Sequence, residues 1–249
     1  MKKTTALSFL VLLLLGAACS QSMPNAEGTA FPTRTRTRTA TPTITPTPTP
    51  SPAEILAQSG DAVLAMKTAR FTLVREGEPV TFDPTTGMGF VEAAGEYQAP
   101  DRVSAKAKVT LFGNVLELDI YWLPEGIYIL NPLTKQLQEA PVDMGIDAAA
   151  MFAPEGIPAV LKTGIQNPQR VGYETVEDVR TIHITGQADG SVLSPLMAGA
   201  LESGTLYPVD AWVDASSFCL VRFHIAEPDG NGWMIDIFDI DEPIEIQKP

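Results

Sequence analysis

From Val103 to Leu111 apolar and polar residues alternate one for one, with Val103, Ala105, Ala107, Val109 and Leu111 set against Ser104, Lys106, Lys108 and Thr110. Successive strand side chains point to opposite faces, so a period of two predicts an antiparallel strand with one buried and one wet face. Phe112-Gly113-Asn114 marks a turn, after which Leu116, Leu118, Ile120 and Trp122 alternate with Glu117, Asp119 and Tyr121. Pro124-Glu125-Gly126 turns the chain again into an apolar run from Ile127 to Leu130. Upstream, Phe71 and Leu73 begin a strand, and Phe90, Val91 and Tyr97 lie in a second, less regular one that ends at Pro100. Strands in hairpin order with their apolar faces aligned predict a meander packed on one side.

The pattern changes period on either side of this meander. Ser51-Pro52-Ala53-Glu54 supplies the N-cap serine, first-turn proline and third-position glutamate of a capping box. Ile55, Leu56, Ser59, Ala62, Val63 and Met66 then recur at steps of three and four, predicting an amphipathic helix. After Pro154, Ile157, Val160, Leu161 and Ile165 predict a short helix, and Val192, Leu193, Leu196, Met197, Ala200 and Leu201 predict another. Strands are expected at Arg170-Val171 and at 179–186, 209–214, 218–226 and 232–240, separated by turns at Gly204, Asp229-Gly230 and Asn231-Gly232. The expectation is an α+β fold: a curved antiparallel half-barrel of roughly ten strands with one long and two short helices over its concave apolar face.

Residues 1–52 lack either period. Lys2 and Lys3 precede an apolar run from Leu7 to Leu15, then Gly16-Ala17-Ala18 and Cys19, the order of a bacterial export signal with a cysteine at the cleavage point. The apolar run is about half the ~20 residues that a membrane-spanning helix needs. A signal peptide over 1–18 and acylation of Cys19, palmitate included, are therefore expected. Gly16 stands where a lipobox carries an aliphatic residue, which leaves ordinary cleavage after the small residues as the alternative. Residues 33–52 contain nine Thr and five Pro, with Arg34, Arg36 and Arg38 among them. Nothing there can pack, and the proline spacing favours extended polyproline II, so 19–52 reads as a disordered stalk. At about 3.1 Å per residue its Thr/Pro-rich part would reach roughly 60 Å.

The remaining 197 residues, 53–249, suit one domain with a substantial core. They hold 12 basic and 29 acidic residues, a net charge of −17. That balance opposes nucleic-acid binding, which needs clustered Lys and Arg, and disfavours flat adhesion to anionic lipid. With Cys19 acylated, Cys219 has no disulfide partner, and its alternation with Val221, Phe223 and Ile225 predicts a small buried strand side chain. His183 and His224 both fall on the polar phase of a strand.

Several segments resemble the LppX/LprG-type (LppX_LprAFG) lipoproteins. They are Gly95-Glu96-Tyr97-Gln98-Ala99-Pro100-Asp101-Arg102-Val103-Ser104-Ala105, Ile127-Tyr128-Ile129-Leu130-Asn131-Pro132-Leu133-Thr134 and Arg180-Thr181-Ile182-His183-Ile184-Thr185-Gly186. Ala211-Trp212-Val213-Asp214 and Asp241-Glu242-Pro243-Ile244-Glu245-Ile246 follow in the same order. Leu137 departs from the pattern, standing where a Trp is expected. The resemblance implies a half-barrel enclosing an apolar cavity for the acyl chains of lipids or acylated glycolipids, and LolA/LolB carriers offer a wider fold analogy. Expected cavity residues are Met66, Phe71, Leu73, Val109, Leu111, Leu118, Ile120, Trp122, Ile157, Leu161, Leu193 and Met197, with ordinary core packing the favoured account of any single one.

No G-x-S-x-G, P-loop, H-E-x-x-H or C-x-x-C sequence occurs. Asp236, Asp239, Asp241 and Glu242 match no calcium-loop spacing. The expectation is a non-catalytic, monomeric lipoprotein without cofactor or metal, exported and held by its anchor at the outer face of a membrane, binding and transferring lipid. The alternatives are an assembly lipoprotein whose interior its own side chains fill, and an unrecognised hydrolase.

Overall fold

The computed structural model describes residues 49–83, 87–131, 134–140, 147–197 and 199–249; Cys19 and the leader lie outside them. Residues from Pro48 onward form a compact unit separate from Met1–Thr47, and every residue of the apolar core falls within it.

Helix α1 (Pro52–Ala65) begins as its sequence demands. The Ser51 amide donates to Glu54 Oε2 at 2.7 Å, and the Glu54 amide donates to Ser51 Oγ at 3.3 Å, closing the capping box. Strands β1 (Thr68–Glu76), β2 (Val80–Asp83), β3 (Met88–Gln98), β4 (Arg102–Leu111), β5 (Asn114–Leu123), β6 (Gly126–Leu130) and β7 (Leu137–Glu139) follow. A helical turn α2 (Ile157–Ala159) runs into a π-turn (Val160–Gly164), then β8 (Ile165–Val176) and β9 (Val179–Asp189). A further turn α3 (Gly190–Leu193), extended by a 3₁₀ turn (Ser194–Met197), leads to β10 (Leu206–Asp214), β11 (Leu220–Ala226) and β12 (Gly232–Phe238).

The strands make one open antiparallel sheet ordered β7-β6-β5-β4-β3-β1-β12-β11-β10-β9-β8, with β2 paired to β3 beside this path. One face is apolar except at the end of β1, where Arg75 is buried. Phe71, Ile120, Ile184, Ala211, Phe223 and Ile235 are all buried on it, whereas Arg70, His183, Trp212, Arg222 and Asp236 alternate onto the other. The α+β half-barrel expected from the sequence is the fold observed.

Where the boundaries differ, the cause is physical. The sequence singles out only Arg170-Val171 of β8, a 12-residue strand. As an edge strand carrying Pro168 and exposing Val171 and Tyr173, β8 buries little and so has no period to read. The two expected short helices are single turns that convert to π and 3₁₀ geometry before Gly164 and Met197. Cys219 is not a buried strand residue. It is half-buried in the turn before β11, where Leu220 pairs with Val213 across a bulge that breaks the alternation.

Candidate functional site

The helices do not cover the whole concave face. Helix α1 packs against β8, β10 and β11, and the π-turn against β8 and β9. Gly60 makes the close approach of α1 to α2 possible, since a Cβ there would lie 2.6 Å from Lys162 Cγ and 3.0 Å from the Pro158 carbonyl. Over β1 and β3 the cover is instead the loop around Phe152, whose ring stacks on Tyr97 at 4.3 Å and tilts against Phe71 at 5.5 Å.

From these two strands on through β4 and β5, small residues line up across neighbouring strands. Phe71, Gly95, Ala105 and Ile120 form one cross-strand row, and Leu73, Ala93, Ala107 and Leu118 form the next. Each row therefore has large side chains on β1 and β5 and a floor of Gly or Ala on β3 and β4. The register thus sets a stripe of small residues along β3 and β4, a trough in side-chain size, between Phe71 and Leu73 on one side and Ile120 and Leu118 on the other, with the Phe71 ring leaning over Gly95. A Cβ on Gly95 would stand 2.7 Å from the Ser104 carbonyl oxygen and 2.8 Å from both Ala105 Cβ and the Phe71 ring, so its floor tolerates nothing larger than Gly there.

Of the twelve expected cavity residues, Met66, Phe71, Leu73, Ile120, Trp122, Ile157, Leu161, Leu193 and Met197 belong to one contiguous buried cluster. Leu118 is half-buried against it. Val109 is buried but stands outside the cluster, and Leu111 is half-buried near the end of β4. The small residues of the floor escaped notice because Ala alternation signals only a strand; that two such strands lie side by side is information the register alone carries. Ser59 lies on the apolar face of α1 that its spacing predicts. It is fully buried on α1, and its Oγ is the one buried side-chain polar atom among the described residues that lacks a hydrogen-bond partner.

A buried ion pair closes the end of the sheet where β1 finishes. Arg75 donates through both terminal nitrogens to the Glu227 carboxylate and through Nε to the Glu78 carbonyl at 2.9 Å. Its guanidinium lies 5.0 Å from the centre of the Trp233 ring, and Trp233 Nε1 donates to Glu227 at 2.9 Å. Phe90 stacks on the same indole at 5.6 Å, tying this clamp to the trough end of β3.

The outer face holds both histidines. His183 bridges Glu174 at 2.8 Å and Asp210 at 2.7 Å and stacks on Trp212 at 4.5 Å, while His224 meets Glu76 at 3.1 Å. The Trp212 indole and then His183 hold the Glu174 carboxyl below its usual range. Neither histidine has a hydroxyl or thiol partner among the described residues, so a nucleophile–base pair is not assembled. Asp236 is engaged by Arg222 at 2.5 Å, Asp239 by Arg70 at 2.8 Å and Asp241 by the Lys67 amide at 2.8 Å. Among the described residues no three His, Cys, Asp or Glu are grouped to hold a metal ion. A groove of about 790 Å³ opens on this face, with Val176, Val179, Cys219, Val221 and Phe238 among its walls.

A one-sided open sheet, a partial helical cover and a small-residue trough define a binding domain built around an apolar interior. The sequence matches the LppX_LprAFG lipoprotein family over residues 51–246, and the chain belongs to that family, one of lipoproteins and not of enzymes. The fold is similar to that of LprF from Mycobacterium bovis, with a TM-score of 0.65 and 19% identity over 81% of this chain and 98% of that one. It is also similar to lipoprotein LppX from Mycobacterium tuberculosis, with a TM-score of 0.58 and 19% identity over 79% of this chain and 98% of the other. A LolA superfamily protein from Nitrosomonas europaea aligns at a TM-score of only 0.27 with 9% identity over 77% of this chain and 93% of that one, too distant to carry an argument. No curated protein sequence matches the chain. Among the described residues no helix is long and apolar enough to cross a membrane.

Proposed function

We propose that this cell-envelope lipoprotein binds lipids or acylated glycolipids without catalysis, seating acyl chains against the concave face of its sheet and passing them between membranes or partners. The observation that carries this reading is the trough: Gly95, Ala93, Ala105 and Ala107 set between Phe71, Leu73, Ile120 and Leu118 on one face. An acyl chain is a flexible apolar cylinder, and a channel of small residues between bulky walls suits it where a flat Leu/Val surface would not. Removing apolar surface from water at about 25 cal/mol per Å² supplies affinity without directional contacts. The leader serves the same end, with residues 1–18 directing export, acylated Cys19 anchoring the chain and the segment between it and the Ser51 cap of α1 forming the stalk.

Solvent extraction and native mass spectrometry of the purified 49–249 domain test this directly. Co-purifying lipid, displaced by added acylated glycolipid, is the expected result. A domain that emerges lipid-free and takes up none would sink the proposal in favour of a filled-core assembly lipoprotein.

A further inference from the structure

We infer that the β4–β5 hairpin tip is a wedge that enters a lipid bilayer. Eight large apolar side chains are conspicuously exposed among the described residues, and three of them, Phe112, Val115 and Leu116, fall within five consecutive positions at this tip. Phe112 is 83% exposed, so it contributes almost nothing to the core. It is also in the wrong place for a turn. Phe112 and Gly113 have φ of 48° and 78°, the left-handed pair of a two-residue hairpin in which Asn, Asp and Gly are the favoured occupants. The matching turn between β8 and β9 has φ of 46° and 66° and is filled by Glu177 and Asp178. An aromatic ring held in a strained backbone and pointed into water makes sense only if something other than water receives it.

The surroundings say what receives it. Residues 109–116 carry no charge in a domain of net −17. The first charges inward, Lys108 and Glu117, are register partners directly across the two strands, so they form a collar at the base of the tip. Lys108 is further paired with Glu92 at 2.6 Å. Three residues on each strand, four residue steps, separate this collar from the turn, a reach of about 13 Å at the rise of an extended strand. That depth passes the head groups and enters the acyl region, yet falls far short of the roughly 30 Å hydrocarbon core. Residues 114–117 of β5 are exposed on both faces, so the tip projects as a narrow wedge. A protein partner would require a broader surface, on the order of 800 Å² per side. The apolar face is continuous with the trough: Ala105, Ala107, Val109 and Leu111 lie on one side of β4, and exposure rises from Ile120 through half-buried Leu118 to Leu116 on β5. The wedge would therefore bring the open end of the trough to the membrane surface, and for that purpose it rests on the lipid-binding reading.

Flotation of the 49–249 domain with phosphatidylcholine vesicles tests the wedge, using Phe112→Asn as the variant. Asn suits the left-handed turn, so the variant is expected to melt at the same temperature or higher while its vesicle partition falls about tenfold, the worth of one buried aromatic side chain. Partition is expected to need no phosphatidylglycerol and to fall when it is added, an effect that salt screens, because the tip is uncharged while the domain carries −17. Equal flotation of Phe112→Asn and the parent would overturn the wedge. So would binding that requires anionic lipid, or a dimer of the parent that Phe112→Asn abolishes without any vesicle binding. Lipid content measured on the same samples separates the two proposals. A domain that floats through Phe112 yet carries no lipid upholds the wedge and sinks the carrier reading, whereas one that carries lipid and does not float sinks the wedge alone.

Discussion

Ala107→Leu asks whether the trough is occupied by the protein or reserved for a ligand. Ala107 is 5% exposed and sits in the floor between Ala93 and Leu118, so three added carbons must go into space already closed to bulk water. If that space belongs to an acyl chain, the new side chain displaces about three methylenes of ligand. At about 0.8 kcal/mol each this removes about 2.4 kcal/mol of binding, roughly a 50-fold loss of affinity. Stability of the lipid-free domain would be unchanged or higher, since Leu fills a void. If side chains already fill the space, the same substitution overpacks the core and costs about 1–3 kcal/mol of stability. Urea unfolding of the delipidated domain, run beside a fluorescent fatty-acid titration, reads both quantities. A loss of more than about 1 kcal/mol in stability with unaltered affinity would refute the trough as a lipid seat.

Four further outcomes are expected. Gly95→Ala forces a Cβ against a backbone carbonyl that cannot retreat, so it should lower stability by about 1–3 kcal/mol, or about 2–4 °C of melting temperature per kcal/mol for a domain of this size. Ser59→Ala should stabilise the domain by about 1 kcal/mol in urea unfolding, and a destabilised variant would mean the hydroxyl already has a partner. Glu227→Ala strands a guanidinium whose side chain is 4% exposed and should cost about 3–5 kcal/mol in urea unfolding. Arg75→Met should cost less, because the Glu227 carboxylate keeps its Trp233 bond and borders solvent, and equal costs would contradict this asymmetry. Burial raises the Asp214 carboxyl, but hydrogen bonds from Ser216 and Ser217 outweigh it and leave the group below its ordinary value. Its stabilising effect is then complete above about pH 4 and lost as pH falls through the folded value, so Asp214→Asn should cost more at about pH 7 than at about pH 2 by thermal melting.

Much of the fold follows from the chain's local pattern. Alternation over 103–111 and 116–122 specified two strands and the face each buries, and Ser51-Pro52-Ala53-Glu54 specified where α1 starts. These are determined by backbone geometry within a few residues, so the sequence alone suffices. Nine of the large apolar residues expected around a cavity join the core cluster, and their burial follows from the same local periods. What was not legible is what distinguishes a trough from a plain core. It depends on β1 pairing with β3 on one side and β12 on the other, which brings Phe71 opposite both Gly95 and Ile237. No period encodes a neighbour more than a hundred residues away, because that choice is made by the packing of whole elements. Tertiary structure likewise decided that Phe152, from a segment without periodicity, covers Phe71 and Tyr97, and that the helices leave part of the concave face to the trough. Sequence determined that this protein would have one apolar face; only the assembled sheet decided where on that face the large side chains give way to small ones.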